Sequence, residues 1–362
     1  MIYDAILLTS FGGPEGPEDV IPFLERVTAG RGIPSERLAE VGTHYMTMGG
    51  VSPINAQNRQ LLSAIEEELA SRDLNLPIFW GNRNSKPFFE DTIREMHLAG
   101  HRRVLALATS AYSSYSGCRQ YRENLAQALA ETHLADSMTI DKVRHYFDHP
   151  GFVEPFAEGL VSALSSLASV GIGAADIHLF FSTHSIPTAM AQTSGPPAMR
   201  SDFAEGVYIA QHRAAISAVL EIAERALSGA LPEWSLVYQS RSGAPHTPWL
   251  EPDIGEAIRA IAVTGVRAVI VIPIGFVSDH VEVIWDLDRV ARGIAEDLGL
   301  KFARVATPGV SDKFVLGVVD LIEERISSRD REALSPLGPW PDFCAVDCCP
   351  NPRAELPTIA QG

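Results

Sequence analysis

The chain has 362 residues, 46% hydrophobic and 20% charged, a globular usage that excludes disordered and fibrous architectures and exceeds one ordinary domain. With 29 Lys and Arg against 45 Asp and Glu, a formal net charge of −16, and no cluster of basic residues, nothing supplies the phosphate-neutralising surface of a nucleic-acid binder. The longest near-apolar stretch, Ala268–Val277, falls far short of the roughly 20 residues that span a bilayer, and Met1-Ile2-Tyr3-Asp4 leads straight into a strand-like segment, so the chain reads as soluble and cytoplasmic.

Short apolar runs alternate with longer amphipathic ones, the pattern of βαβ units stacked into parallel sheets with helices on both faces. Strands are predicted at Ala5–Thr9, Ile78–Gly81, Val104–Thr109 and Ile140–Val143, with a helix over Ala56–Ser71. A boundary near His149-Pro150-Gly151 leads to a second set of strands at Ile177–Ser182, Ser235–Gln239, Ala268–Ile272 and Phe302–Val305, with helices over Gly206–Ala226 and Leu287–Leu298. The expected organisation is α/β: a first lobe over 1–150, a second over 151–315, and a C-terminal helix and Cys-rich extension over 316–362 that packs on the first lobe. Beyond Arg331 the chain is Pro-rich and weakly periodic. Such a tail needs something other than a hydrophobic core to hold it, and a metal cluster would serve.

Ligands of open α/β sheets bind beyond the carboxyl ends of strands, which directs attention to the loops there. The first, Thr9-Ser10-Phe11-Gly12-Gly13-Pro14, matches neither glycine fingerprint of a phosphate cradle, and no Lys follows it. The second places His184 just past an apolar strand, flanked by Thr183 and Ser185 and stopped by Pro187. In the third, a helix beginning at Ser278 would put Asp279, Glu282 and Asp286 on one face. Two readings compete for these carboxylates: an acidic first turn that complements the helix dipole, or a ladder of hard oxygen ligands passing a divalent cation inward, with Glu282 facing His184 across a cleft. Ser52 is open between a helix cap and a hydroxyl donor to a ligand. Four cysteines, three of them between Cys344 and Cys349 and the fourth at Cys118, are no disulfide framework in a chain of this kind and leave a metal or cluster site.

Four segments in order, Gly49-Gly50-Val51-Ser52-Pro53, Phe181-Ser182-Thr183-His184-Ser185-Ile186-Pro187, Gln239-Ser240-Arg241 with Pro248-Trp249-Leu250, and Pro273-Ile274-Gly275-Phe276-Val277-Ser278-Asp279-His280-Val281-Glu282, make the chain resemble the ferrochelatases, and among them the bacterial coproporphyrin type. The resemblance implies two Rossmann-like lobes of the class II chelatase kind with a cleft between them, and insertion of Fe(2+) into coproporphyrin III to give Fe-coproporphyrin III. It implies His184 as the active-site histidine and Glu282 as its acidic partner, both able to hold the incoming iron, with Asp279, His280 and Asp286 as metal path or proton relay. Phe11 takes the place that faces the macrocycle, and Ser52, Tyr121 and Arg31 stand where porphyrin carboxylates are held. Cys118, Cys344, Cys348 and Cys349 look similar to the ligand set of ferrochelatases that carry a [2Fe–2S] cluster; a Cys₄ zinc site competes, since both metals accept tetrahedral sulfur.

The expected partners are coproporphyrin III, ferrous iron and, transiently, the downstream enzyme of the haem pathway that takes the product. No amphipathic lip or basic helix marks a stable membrane association, which favours coproporphyrin over the membrane-delivered protoporphyrin IX. A non-catalytic porphyrin or iron carrier with a redox-sensing cluster, and a cobalt or nickel chelatase, are the alternatives.

Overall fold

The computed structural model describes residues 2–30, 32–227, 229–242, 246–327 and 329–361. Among them, eight strands form two four-stranded sheets, parallel throughout. The first sheet has the order β2-β1-β3-β4, from β1 (Ala5–Ser10), β2 (Ile78–Asn82), β3 (Arg103–Ala108) and β4 (Thr139–Lys142). The second repeats that plan as β6-β5-β7-β8, from β5 (Ile177–His184), β6 (Glu233–Gln239), β7 (Ala268–Ile272) and β8 (Lys301–Arg304). Every strand stands where its apolar run put it, with ends slightly shifted. In each sheet the chain lays successive strands on opposite sides of the first, so β1 and β3, and β5 and β7, bound a switch point at which the connecting loops part.

Helices cover both faces. The first lobe carries α1 (Pro17–Thr28), α2 (Ser35–Met46), α3 (Ile54–Ser71), α4 (Phe89–Leu98) and α5 (Gln120–Glu131), and α6 (Pro150–Ser169) crosses to the second. There the helix Val207–Leu227 packs on α6, and the helix Asp312–Ile326 returns to pack on α6 and α3. That return is fixed by charge: buried Arg144 beside β4 grips Glu324 through two bonds of 2.7 and 2.8 Å, and Arg72 on α3 bonds Asp320 and Glu323. Gly151 and Gly317 let α6 and this helix touch, since a Cβ on either would lie under 3 Å from the partner's backbone.

Two helical runs contain a π segment, a form that recurs at functional sites. Tyr115–Arg119 precedes α5 and contains Cys118. The run from Val281 to Asp297 is α at its ends and π over Ile284–Ala291. The tail crosses the first lobe, with Ile359 in the cluster around Phe89, Tyr121 and Leu125 and its carbonyl accepting from buried Arg122. No helix among the described residues is long and apolar enough to cross a membrane.

Candidate active site

Side chains alternate across a strand, and β5 uses both faces. Phe180 packs with Val283 and Leu287 of the Val281–Asp297 run, so His184, which shares its face, is turned toward the carboxylates of that run. The imidazole Nδ1 hydrogen-bonds the Ser185 carbonyl, an acceptor only, which leaves Nε2 as the basic nitrogen; it lies 3.7 Å from Oε2 of Glu282. Both side chains are more than a third exposed, on the wall of an open cleft. Burial opposes a charge on His184, yet Glu282, the Ser185 carbonyl and the more distant Asp286 outweigh it and raise its pKa above the ordinary value.

Asp286, one helical turn beyond Glu282, is less exposed. Burial pushes its carboxyl up to about 6, with Glu282 adding to the effect and a hydrogen bond from Ser240 opposing it. Ser240 holds that bond from a left-handed backbone, φ 59°, at the end of β6, a conformation that costs a non-glycine residue about 1–3 kcal/mol. His280 caps the helix, edge-on to Phe276, and burial lowers its pKa.

Asp279 departs from the one-face expectation. The helix starts only at Val281, and Asp279, in the loop before it, is held by Arg304 through two bonds of 3.0 and 2.8 Å, with Thr307 donating at 3.3 Å. Its backbone N–H donates to Gln57 of α3, a link between lobes.

Across the cleft, Phe11 follows β1 and meets Phe23 of α1 edge to face. The guanidinium of Arg83, in the loop after β2, stands 5.4 Å from the Phe11 ring and 4.8 Å from the Tyr121 ring. Phe11, Arg26, Arg83, Ser116, Gln120 and Arg353 help line a polar cavity of about 350 Å³. Arg83 donates to the Ser116 carbonyl at 3.2 Å and interacts with the Tyr121 hydroxyl, while its buried Nε has no partner. Tyr121 is 6% exposed and packs inward against Phe89 and Leu125. The groups presented to the cavity are instead its neighbour Gln120 and Arg83 above it. Ser52, 2% exposed, packs under the first loop against Gly13, and Pro53 takes the cap position of α3. Arg31 lies outside the described residues.

The four cysteines are free, buried and gathered in one cluster. Cys344 interacts with both Cys118 and Cys348, and the Cys348 and Cys349 sulfurs are 3.8 Å apart. Cys118 also interacts with Cys349, so the four thiols face one another, and among the described residues no group of three or more is arranged to hold a single metal ion. The loop they form touches both lobes. Arg119 donates to the Val346 carbonyl, while in the second lobe the Gly195 N–H donates to Cys349 Sγ at 3.1 Å and Arg200 to the Asp347 carbonyl at 2.6 Å.

Arg83 and the buried Tyr208 and His212 behind β5 escaped the sequence reading, and Ser240 was named there only as part of a motif. Arg83 follows a strand, the signal that marked the other loops.

The ferrochelatase family model matches residues 3–326. The chain is 52% identical to the coproporphyrin III ferrochelatase of Streptomyces griseus subsp. griseus, over 99% of this chain and 96% of that one. It is 53% identical to the enzyme of that name from Leifsonia xyli subsp. xyli, over 99% and 94%. A ferrochelatase of Rhodopirellula baltica is 43% identical over 96% and 93%.

Proposed function

Because the chain belongs to the ferrochelatase family, we propose that it inserts ferrous iron into coproporphyrin III, giving Fe-coproporphyrin III in haem biosynthesis. The observation that carries the proposal is the His184–Glu282 pair, 3.7 Å apart at the carboxyl end of β5, with Asp286 behind it. Insertion breaks two N–H bonds of the macrocycle and forms four Fe–N bonds without changing the oxidation state of the metal, so two protons need acceptors. His184 Nε2, its other nitrogen committed to Ser185, is a ligand for the arriving iron and then a base for a pyrrole proton. Glu282 stabilises the resulting imidazolium; this first proton leaves by way of Asp286, whose pKa of about 6 lets it exchange with solvent near neutrality, and His184, neutral again, takes the second pyrrole proton. On the other side, Phe11 supports the ring and the Arg83 cavity takes a propionate. Binding energy from such remote groups offsets the cost of bending the macrocycle.

The four cysteines fit a [2Fe–2S] cluster: all are buried thiols, none is in a disulfide, and two irons call for paired ligands rather than one convergent point. The cluster would supply a redox-active cross-link in the tail and takes no part in the steps above.

Parallel turnover assays with coproporphyrin III and protoporphyrin IX test the substrate. Coproporphyrin III, with four propionates, is expected to be metallated many times per protein and at higher kcat/KM; preference for protoporphyrin IX would overturn that assignment. His184→Ala is expected to lower kcat by about 10²–10⁴. Stoichiometric binding without turnover in the parental protein would make it a carrier.

A further inference from the structure

On the face of β5 away from His184, a set of buried polar groups has no part in the reaction as described. Thr183 Oγ1 lies 2.9 Å from the Tyr208 hydroxyl and 2.8 Å from His212 Nε2. Tyr208 donates to the His184 carbonyl at 3.0 Å, and His212 Nδ1 is 2.7 Å from the Tyr208 carbonyl. The carbonyl can only accept, so Nδ1 carries the proton and Nε2 accepts from Thr183. His212 is therefore neutral, which agrees with burial holding its pKa at about 3. Thr183 donates to His212, so the single Tyr208 hydroxyl proton is shared between the His184 carbonyl and Thr183 Oγ1.

This set is tied to the other lobe. The His212 ring stacks on Tyr112 at 3.6 Å and 11°, the Tyr112 hydroxyl donates to the Ile274 carbonyl at 2.9 Å, and Gln211 exchanges two hydrogen bonds with Ser113. Tyr112 and Ser113 belong to the loop after β3, on the side of the cleft where the ring would be supported. Gly275, after β7, closes over Thr183 so tightly that a Cβ would fall 2.1 Å from Oγ1. The last two residues of β5 are thus held from below and above.

We propose that Tyr208, with Thr183 and His212, forms a positioning device that fixes the backbone of His184 relative to the opposite lobe and so sets the distance between its imidazole and Glu282. The proposal rests on the reading of His184 as the base. It predicts which property changes when a hydroxyl far from the substrate is removed: the base is displaced from the carboxylate it faces, so turnover slows while porphyrin binding does not.

The test is Tyr208→Phe, which keeps the ring and deletes the hydroxyl. Expected are a kcat lower by about ten- to a hundredfold, a porphyrin KM within about twofold, and an acid limb of kcat/KM displaced to lower pH. A parental kcat with an unmoved acid limb would overturn the proposal. If Tyr208→Phe does not fold, Thr183→Ser and Thr183→Val decide: Ser is expected to keep the parental profile and Val to lose it, and identical profiles would overturn it. An active His184→Ala would instead sink the assignment of the base, so the two failures are distinguishable.

Discussion

Glu282 does two things to His184 at once. In the proposed reaction it attracts the proton that leaves the macrocycle, and it raises the pKa of His184. Replacing it separates the two. In Glu282→Gln the imidazole is expected to remain neutral to lower pH, so the acid limb of kcat/KM moves down while the maximal rate falls by about 10²-fold or more; a pH–rate profile with an unmoved limb would show that the carboxylate does not act on His184. The sign carries over to stability. A histidine whose folded pKa exceeds its unfolded one contributes stability that is complete below the unfolded value and is lost as pH rises through the folded value. The same residue scale shows where the sequence was readable. His184, Glu282 and Asp286 could be found because each follows or faces a strand end in an apolar context. The engagement of Asp279 could not, because Arg304, its partner, comes from another strand.

Among elements, the strands were legible because a strand buried on both faces is a continuous apolar run, as β5 and β7 are. Helices α1 and α2 were not, since Pro17, Pro22 and the loop glycines around them blur a period that Val20, Phe23 and Leu24 nonetheless bury. The expectation for Tyr121 came from the resemblance alone, and nothing in the local sequence signals the π turn at Tyr115–Arg119, wider than an α turn, that sets the phase of α5. The helix Asp312–Ile326 is the element whose position depends most on a single ion pair. With Arg144 and Glu324 both buried, Glu324→Ala leaves the Arg144 guanidinium only Asp148, 4.0 Å away, as counter-charge, and denaturant unfolding is expected to show a loss of about 3–5 kcal/mol. A loss under about 1 kcal/mol would mean that the helix is held by its apolar face alone.

At the scale of the molecule, three sets of contacts join the lobes in addition to the helix Asp312–Ile326. One is the Tyr112–His212 stack with the bonds of Gln211; in another, His44 of α2 stacks on Trp285 at 4.0 Å and Gln57 receives the Asp279 N–H. The third join is the cysteine loop, between Arg119 on one lobe and Gly195 and Arg200 on the other. Cys118→Ser tests whether that loop acts as a brace. Loss of the visible absorption of the proposed cluster should be accompanied by faster proteolysis of the tail and by weaker porphyrin binding; loss of the absorption with both unchanged would leave that cluster without a mechanical role.

The order of the cysteines along the chain adds a constraint on how the protein is made. Cys118 leaves the ribosome with the first sheet unfinished, and its three companions emerge only after every strand of both sheets. The thiol must wait, reduced and unclaimed, while the second lobe is synthesised and folds. Any metal centre in the tail is consequently the last part to mature, and its presence would report that a given molecule has been completed with both lobes in register.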